Sequence, residues 1–296
     1  MSENEREEEE RTDGETKTSQ LTEGFNVPEG KTSSALPERV LIRVPARHNP
    51  RLQQVIDRVN ADDELYRLWE VINVNAVKRL GMSDHGPVHV QIAANIALRL
   101  LRLLVDHGVQ PSVVTDHNLT VEDAEVIVVL AALHHDIGMS IHRIDHEQYS
   151  LFVAQPKIKD FLDGIYDLST RTILTSEILH AIISHRSGGR PFTLEAGVVR
   201  VADALDMAEG RSRIPFEAGQ VNIHSVSAAS IEEIRIEKGE EKPIRIIVRM
   251  SNSAGIFQLD ELLKNKLTGS GLEPYIEIEA AIEGEAEKRL IQSFRI

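Results

Sequence analysis

The chain has 296 residues, of which 33 are basic and 47 acidic, so its formal net charge is −14 with neutral histidines. It contains no cysteine, which excludes disulfide bonds, thiolate nucleophiles and cysteine-ligated zinc. Any metal site must therefore use nitrogen and oxygen donors. The composition suits a reducing cytosol, so we expect a cytoplasmic protein. The longest uninterrupted apolar run, Val126–Leu133, is far too short to cross a membrane.

Half of the net negative charge lies in residues 1–30, which hold 10 acidic and 3 basic groups. This segment has almost no apolar residues and cannot bury enough surface to offset its ordering entropy. We therefore predict a disordered acidic tail over residues 1–35. The remainder is only mildly acidic and offers no broad basic face, which argues against nucleic acid as a partner.

Apolar residues at helical spacing predict one helical domain over residues 50–217. A helix is expected from Pro87, and we place on its buried side Ile92, Ile96, Leu100, Leu103 and Leu104. Residues 106–119 are expected to form a polar loop. Thr120 should then cap a helix that is apolar nearly all round, and this helix should be central. Further helices are predicted near residues 146–154, 157–166, 170–184 and 193–209.

The pattern changes after about residue 215. Four segments alternate apolar with polar residues as half-buried strands do, and they are Ile231–Glu237, Pro243–Met250, Tyr275–Ile282 and Leu290–Ile296. Ile256–Leu267 carries a helical pattern. We therefore predict an α+β protein, in which an all-α domain precedes a small α+β domain over residues 218–296. An available strand edge there favours a role in homo-oligomerisation or regulation.

Histidines are concentrated in the helical domain, where ten of the twelve lie between His85 and His185. His135 and Asp136 end the most apolar helix, and burying an ionised aspartate there is costly unless it is paired or bound to a cation. Asp203 poses the same problem within another apolar helix. Neutral imidazole and carboxylate are standard ligands, so a divalent metal would satisfy these groups together.

The ordered set resembles the HD superfamily of metal-dependent phosphohydrolases. Its elements are His89 on a helix, Leu-His-His-Asp-Ile-Gly containing His135 and Asp136, and Arg-Val-Ala-Asp-Ala-Leu-Asp containing Asp203. His146 and His185 resemble the two additional histidines of the dinuclear members. The resemblance covers roughly residues 50–215 and leaves out the tail and the C-terminal domain.

This resemblance implies a ligand set. His89, His135, Asp136 and Asp203 would hold one divalent metal, and Asp136 would bridge to a second held by His146 and His185. His142 is the alternative to His146 as a ligand of the second ion. Manganese, iron, zinc, cobalt and nickel are not distinguished by such a donor set. His180 diverges from His185 by about 140° on a helix, and His134 diverges from His135 by about 100°. Neither His180 nor His134 is therefore expected in the site.

Asp84-His-Gly-Pro-Val-His89 also resembles a segment of class I cyclic-nucleotide phosphodiesterases. By that resemblance His85 would be the general acid, with a supporting role at the helix start as the alternative. Arg186, Arg211 and Arg213 are candidates to bind a phosphate, as is Arg190. For Arg211 and Arg213 the alternative is ion pairing with Glu209 or Glu217. Met139 follows His-Asp-Ile-Gly where cyclic-dinucleotide hydrolases of the GYP type have lysine, which argues against that substrate class.

The sequence therefore predicts a phosphohydrolase that acts through a metal-activated water, with Asp136 and His85 as catalytic residues. Its substrate would be a nucleotide or a related small phosphorylated molecule. The alternative is a non-catalytic sensor that binds a nucleotide at the same metal site. A third interpretation, a nuclease, is disfavoured by the charge balance.

Overall fold

The computed structural model describes residues 39–207 and 227–282 and the backbone of residues 294–295. The predicted tail and the predicted domain boundary near residue 217 lie outside these ranges. Eight helices form the first part: α1 Pro50–Ala61, α2 Asp63–Asn73, α3 Pro87–Asp106, α4 Ser112–His117, α5 Val121–His134, α6 His146–Leu162, α7 Leu168–Ser184 and α8 Leu194–Leu205. A π-helical segment, Val74–Arg79, continues α2.

The central helix is α5, as its composition predicts. Every residue from Asp123 to His134 on it is buried, and α1, α3, α7 and α8 pack around it. Its start is fixed by a capping box, in which the Thr120 hydroxyl accepts from the Asp123 N–H and the Asp123 carboxylate accepts from the Thr120 N–H. The polar C-terminal end of this helix is thereby placed inside the domain.

Helix α3 is also a core helix. By length and composition it could cross a membrane, but half of its most apolar window is buried within the protein, as in the core helix of a soluble protein. It packs against both α5 and α8 through Val90, Ala93, Ala94, Ala97 and Leu101, among others. Of the predicted buried face, Leu100 and Leu104 are fully buried, whereas Ile92, Ile96 and Leu103 are only half-buried. Ile96 and Leu103 still pack against the core as partly buried residues, and alanines occupy much of the fully buried face.

Two other predicted boundaries differ from the structure. The predicted loop over residues 106–119 contains α4, a helix of six residues that begins directly after Pro111. The two helices predicted on either side of Pro156 are one continuous helix, α6, with Pro156 inside it.

The C-terminal part contains β1 Ile231–Lys238, β2 Ile244–Met250, β3 Ile276–Ile282 and β4 Phe294–Arg295. These strands form a sheet in the order β1-β2-β3-β4, with β2 and β3 parallel and the other two pairs antiparallel. The parallel pair needs a crossover, which contains the helical run α9 made of consecutive segments Ile256–Gln258, Leu259–Lys264 and Asn265–Leu267. Helix α9 packs against α8. The predicted α+β class is confirmed.

Candidate metal centre

The site is built around the turn that follows α5. His135 is the C-terminal cap of α5, and Asp136 leads into a 3₁₀ turn, Ile137–Ser140. Ser150 of α6 ties this turn to α6, because its hydroxyl donates to the His135 carbonyl and accepts from the Gly138 N–H. A Cβ on Gly138 would lie 2.1 Å from the His146 carbonyl oxygen, so only glycine permits α6 to begin this close.

One set of donor atoms lies between α3, α5 and α8. The Nε2 atoms of His89 and His135 are 3.1 Å apart. Oδ2 of Asp136 lies 3.5 Å from His89 Nε2 and 3.2 Å from His135 Nε2. Oδ1 of Asp203 lies 3.6 Å and 3.4 Å from the same two nitrogens. Four ligand-type atoms from three helices therefore converge on one point.

A second set shares Asp136 with the first. The other carboxylate oxygen of Asp136, Oδ1, lies 3.0 Å from His146 Nε2 and 3.6 Å from His185 Nε2. His146 is the first residue of α6, and His185 is the C-terminal cap of α7. The two oxygens of one buried carboxylate thus face two different groups of imidazoles.

The four imidazoles are oriented by contacts at their other nitrogen. Nδ1 of His135 and of His185 lies 2.7 Å and 2.6 Å from the carbonyls of Ala132 and Ile182, one turn earlier on each helix. Nδ1 of His146 lies 3.0 Å from the Arg143 carbonyl, and Nδ1 of His89 lies 2.6 Å from Oδ2 of Asp206. Donation from Nδ1 to these acceptors leaves Nε2 as the ligand atom of His89, His135 and His185. Nδ1 of His146 also lies 2.7 Å from Nη1 of Arg143, which can only donate, and its Nε2 is the atom that faces Asp136.

The electrostatics of the site favour bound positive charge. Burial would raise the pKa of Asp136, but His135, His146 and His185 hold it well below its usual value. The pKa of Asp203 is likewise held low against burial, by Lys266 and His135. Burial would lower the pKa of His135, but these two carboxylates outweigh it and raise that pKa to about 10. Asp136 and Asp203 therefore stay charged, and their negative charge favours a bound cation between the imidazoles.

This donor set fits a divalent metal. With Nδ1 of His89, His135 and His185 directed at acceptors, their converging Nε2 atoms and the carboxylate oxygens are electron-pair donors. Only a cation, either a proton or a metal ion, stabilises such a group in a buried position. Within the described ranges, three groups of three residues have ligand atoms within 4.8 Å of one another: His89, His135 and Asp203; His135, Asp136 and His185; and His146, Glu147 and His185. The oxygen and nitrogen donors match a divalent transition metal.

The remaining predicted residues lie at different places. His85 adjoins the site, with its ring centroid 5.4 Å from that of His89. His142 is exposed, and its Nδ1 accepts from the Ile144 N–H. His180 is turned toward Phe192, accepting from its N–H and stacking on its ring, and His134 lies within hydrogen-bonding distance of the Leu130 carbonyl.

The side chains of Arg186 and Arg190 are exposed. Arg211 and Arg213 lie outside the described residues.

Sequence reasoning gave no role to several residues that the structure places at the site, among them Asp206 and Lys266. Asp206 follows Asp203 by three positions and could have been found, because this spacing puts both carboxylates on the same side of a helix end. Lys266 belongs to α9, and its Nζ lies 3.1 Å from Oδ2 of Asp203. No local signal marks Lys266, since its contact spans 63 residues of the chain.

The helices bring two sets of histidines to one His-Asp pair, His135 and Asp136. This arrangement defines a helical metal-binding protein of the HD type. A family model described as HD domain matches residues 89–208. The chain is 42% identical over 233 residues to an uncharacterized protein of Methanocaldococcus jannaschii, MJ1020, and the alignment covers 79% of this chain and 90% of that protein. No solved structure matches the chain significantly. The chain belongs to the HD domain family.

Proposed function

We propose that the protein is a metal-dependent phosphohydrolase that acts on a nucleotide or a related small phosphorylated molecule. The observation that carries this proposal is the orientation of Asp136, whose two oxygens face separate imidazole sets. One carboxylate could in this way bridge two ions. The first ion would be held by His89, His135, Asp136 and Asp203, and the second by Asp136, His146 and His185.

Divalent cations bound there would supply Lewis acidity toward phosphoryl oxygens and lower the pKa of water toward neutrality, giving a nucleophile for phosphorus. The residues of the chain hold the ligand atoms in place and exclude bulk water, since His89, His135, Asp136, His146 and His185 are all at most 5% exposed. Preorganised burial of this kind strengthens electrostatic stabilisation of a transition state.

In this proposal His85 donates a proton to the leaving oxygen. Its Nδ1 lies 2.7 Å from the Ser83 carbonyl, and its backbone N–H donates to the Asn73 side chain. These contacts fix the ring beside His89, so that Nε2 is the nitrogen that would protonate the leaving group. Arg186, which follows His185 directly, would contact the substrate phosphate. The roles of Arg211 and Arg213 stay predictions.

We expect Asp136→Ala to lose metal and hydrolysis together, because both imidazole sets lose their common carboxylate. Metal content of the purified variant, measured by mass spectrometry, should fall to background, and the rate of hydrolysis by ~10³-fold or more. Asp160→Ala, which removes an exposed carboxylate from α6, should leave both unchanged. Full activity in Asp136→Ala would refute the assignment.

The substrate class is tested by a panel of phosphomonoesters, phosphodiesters and nucleotides, each with manganese, iron, zinc, cobalt or nickel. Turnover of at least one nucleotide or small phosphate ester is expected. Tight nucleotide binding with no turnover on any member would instead favour the alternative, a nucleotide sensor. A labelled RNA included in the panel should stay intact, in keeping with the acidic chain. The absence of cysteine suits a cytoplasmic location for either function.

A further inference from the structure

The C-terminal part of the chain is joined to the metal centre through a buried arginine. Arg200 lies on α8, three residues before Asp203, and is 2% exposed. Its guanidinium donates to four backbone carbonyls. Two of them, those of Ser184 and Arg186, flank His185, and the other two, those of Asn265 and Lys266, end helix α9. A planar guanidinium with several fixed donors suits this arrangement, and a lysine could not make all four contacts.

Lys266, whose backbone carbonyl accepts from Arg200, reaches the metal centre with its side chain. The side chain of Lys266 is 13% exposed. Its Nζ donates to Oδ2 of Asp203, at 3.1 Å, and also to the carbonyl of His185. Lys266 therefore contacts a ligand-type residue of one imidazole set and the backbone of a histidine from the other. It lies outside residues 89–208, which the family model matches.

The contact divides the two oxygens of Asp203 between different partners. Oδ1 faces His89 and His135, whereas Oδ2 is occupied by an ammonium group. An opposite charge at 3.1 Å in a half-buried position fixes the rotation of a carboxylate, because turning it would break a charge-assisted hydrogen bond. Lys266 thus limits Asp203 to presenting a single oxygen to the metal centre.

We propose that Lys266 is a positioning residue of the metal centre and that the C-terminal α+β part completes this centre instead of forming a separate module. The proposal rests on the proposed function, since it assigns Lys266 to the same site. Arg200 supports it by fastening the end of α9 to the loop after α7. The lysine keeps one oxygen of Asp203 away from the cation and so leaves coordination sites for water and substrate.

The test is Lys266→Met, which removes the ammonium group and keeps an unbranched chain of similar length, with Lys266→Gln beside it. Helix content by circular dichroism and the fluorescence of Trp69, the single tryptophan, establish that each variant folds. Apo protein is then titrated with Mn²⁺ and with Co²⁺. We expect Mn²⁺ to bind at least as tightly as to the unaltered chain, since the site loses a positive charge and both oxygens of Asp203 become available. The visible spectrum of the Co²⁺ form should change, because it reports the ligand set and geometry.

The rate of hydrolysis should fall by ~10- to 100-fold in the same variants, because misplacing a reactive group by about 1 Å lowers the rate by such a factor in other enzymes. Lys264→Met is the matched control. It removes a 53% exposed lysine of α9, and we expect unchanged metal binding, Co²⁺ spectrum and activity. An unaltered Co²⁺ spectrum, or weaker Mn²⁺ binding, in Lys266→Met would overturn the proposal. The metal titrations need no substrate, so they decide the role of Lys266 even if hydrolysis is never found.

Discussion

Asp206 determines which nitrogen of His89 faces the metal centre. Its Oδ2 lies 2.6 Å from Nδ1 of His89, and both residues are buried. A carboxylate in this position fixes the imidazole tautomer and makes the other nitrogen a better electron-pair donor. His135 and His185 rely on backbone carbonyls at Nδ1, whereas the orientation of His89 depends on a side chain that can be replaced.

Asp206→Ala is therefore expected to weaken metal binding without removing a ligand. Loss of such a partner typically costs 10- to 100-fold in metal affinity, and we expect a Mn²⁺ dissociation constant raised by ~10- to 100-fold. Isothermal titration of apo protein with Mn²⁺ measures it. Asp116→Ala, at an exposed carboxylate of α4, should bind Mn²⁺ like the unaltered chain. Equal affinities for Asp206→Ala and the unaltered chain would contradict this role.

The two classes of site residue differed in how far the sequence could predict them. His135, Asp136 and Asp203 are recognisable because the first two end an apolar helix and the third lies within another, where a polar group needs a reason to be buried. Lys266 is a lysine in an ordinary amphipathic segment, and its role arises only from the packing of α9 against α8. A contact between residues far apart in the chain does not change the hydrophobic periodicity of either segment, so the sequence pattern does not reveal it.

At the scale of single elements, Pro156 is where local rules and the structure disagree. A proline normally ends or kinks a helix, because it lacks an N–H and its ring meets the carbonyl four residues earlier. In α6 that carbonyl belongs to Phe152, which is 76% exposed, so water can satisfy it. Buried Ser150, Ala154 and Ile158 hold both halves of α6 against the domain, and this packing outweighs the break that the sequence predicts.

Replacing Pro156 with alanine should consequently stabilise the protein. The new N–H can donate to the Phe152 carbonyl, which removes a penalty of up to ~3 kcal/mol, while the freer unfolded chain returns ~1 kcal/mol of it. We expect the free energy of unfolding to rise by ~1–2 kcal/mol. Urea unfolding followed by Trp69 fluorescence measures the change.

Gln155→Ala is the control, because it alters a neighbouring exposed position and should change stability by only a few tenths of a kcal/mol. A stability of Pro156→Ala equal to or below that of the unaltered chain would show that the proline is accommodated without cost.

Elements with a strong period were otherwise predictable. The strands β1 and β2 begin and end within a residue of the segments that alternate, because half-buried strands must alternate. The helix predicted over Ile256–Leu267 is also present, although its middle half, Leu259–Lys264, is π-helical. Short α4 was missed, since six residues are too few to show a period; its first N–H groups are satisfied by the distant Glu195, which accepts from Ser112 and Val113.

At the scale of the whole molecule, the residues from Val40 onward form one compact unit within the described ranges. One hydrophobic core includes the helical residues and also Ile231, Ile246, Leu263 and Ile278. Polar contacts cross between the two parts as well: Arg99 of α3 donates to the Ile236 carbonyl of β1, and Arg200 holds the end of α9. A shared core and these polar links, of which the Arg200 contacts are the less exposed, favour joint unfolding of the helical and α+β parts.

We therefore expect hydrogen exchange, measured by mass spectrometry, to give opening free energies for α5, β2 and β3 that agree within ~1 kcal/mol. Arg200→Met should uncouple them, because it leaves four carbonyls without their charged donor, at a cost of ~2–3 kcal/mol. The opening free energy of β2 and β3 should fall by this amount. Helix α5, which is surrounded by other helices, should keep most of its protection from exchange. In the unaltered chain, an opening free energy of β2 and β3 that is more than ~3 kcal/mol below that of α5 would mean that the α+β part unfolds alone. In that case a metal centre that depends on Lys266 would be assembled only while the α+β part is folded. Cation binding should then slow hydrogen exchange in the α+β part more than in α5.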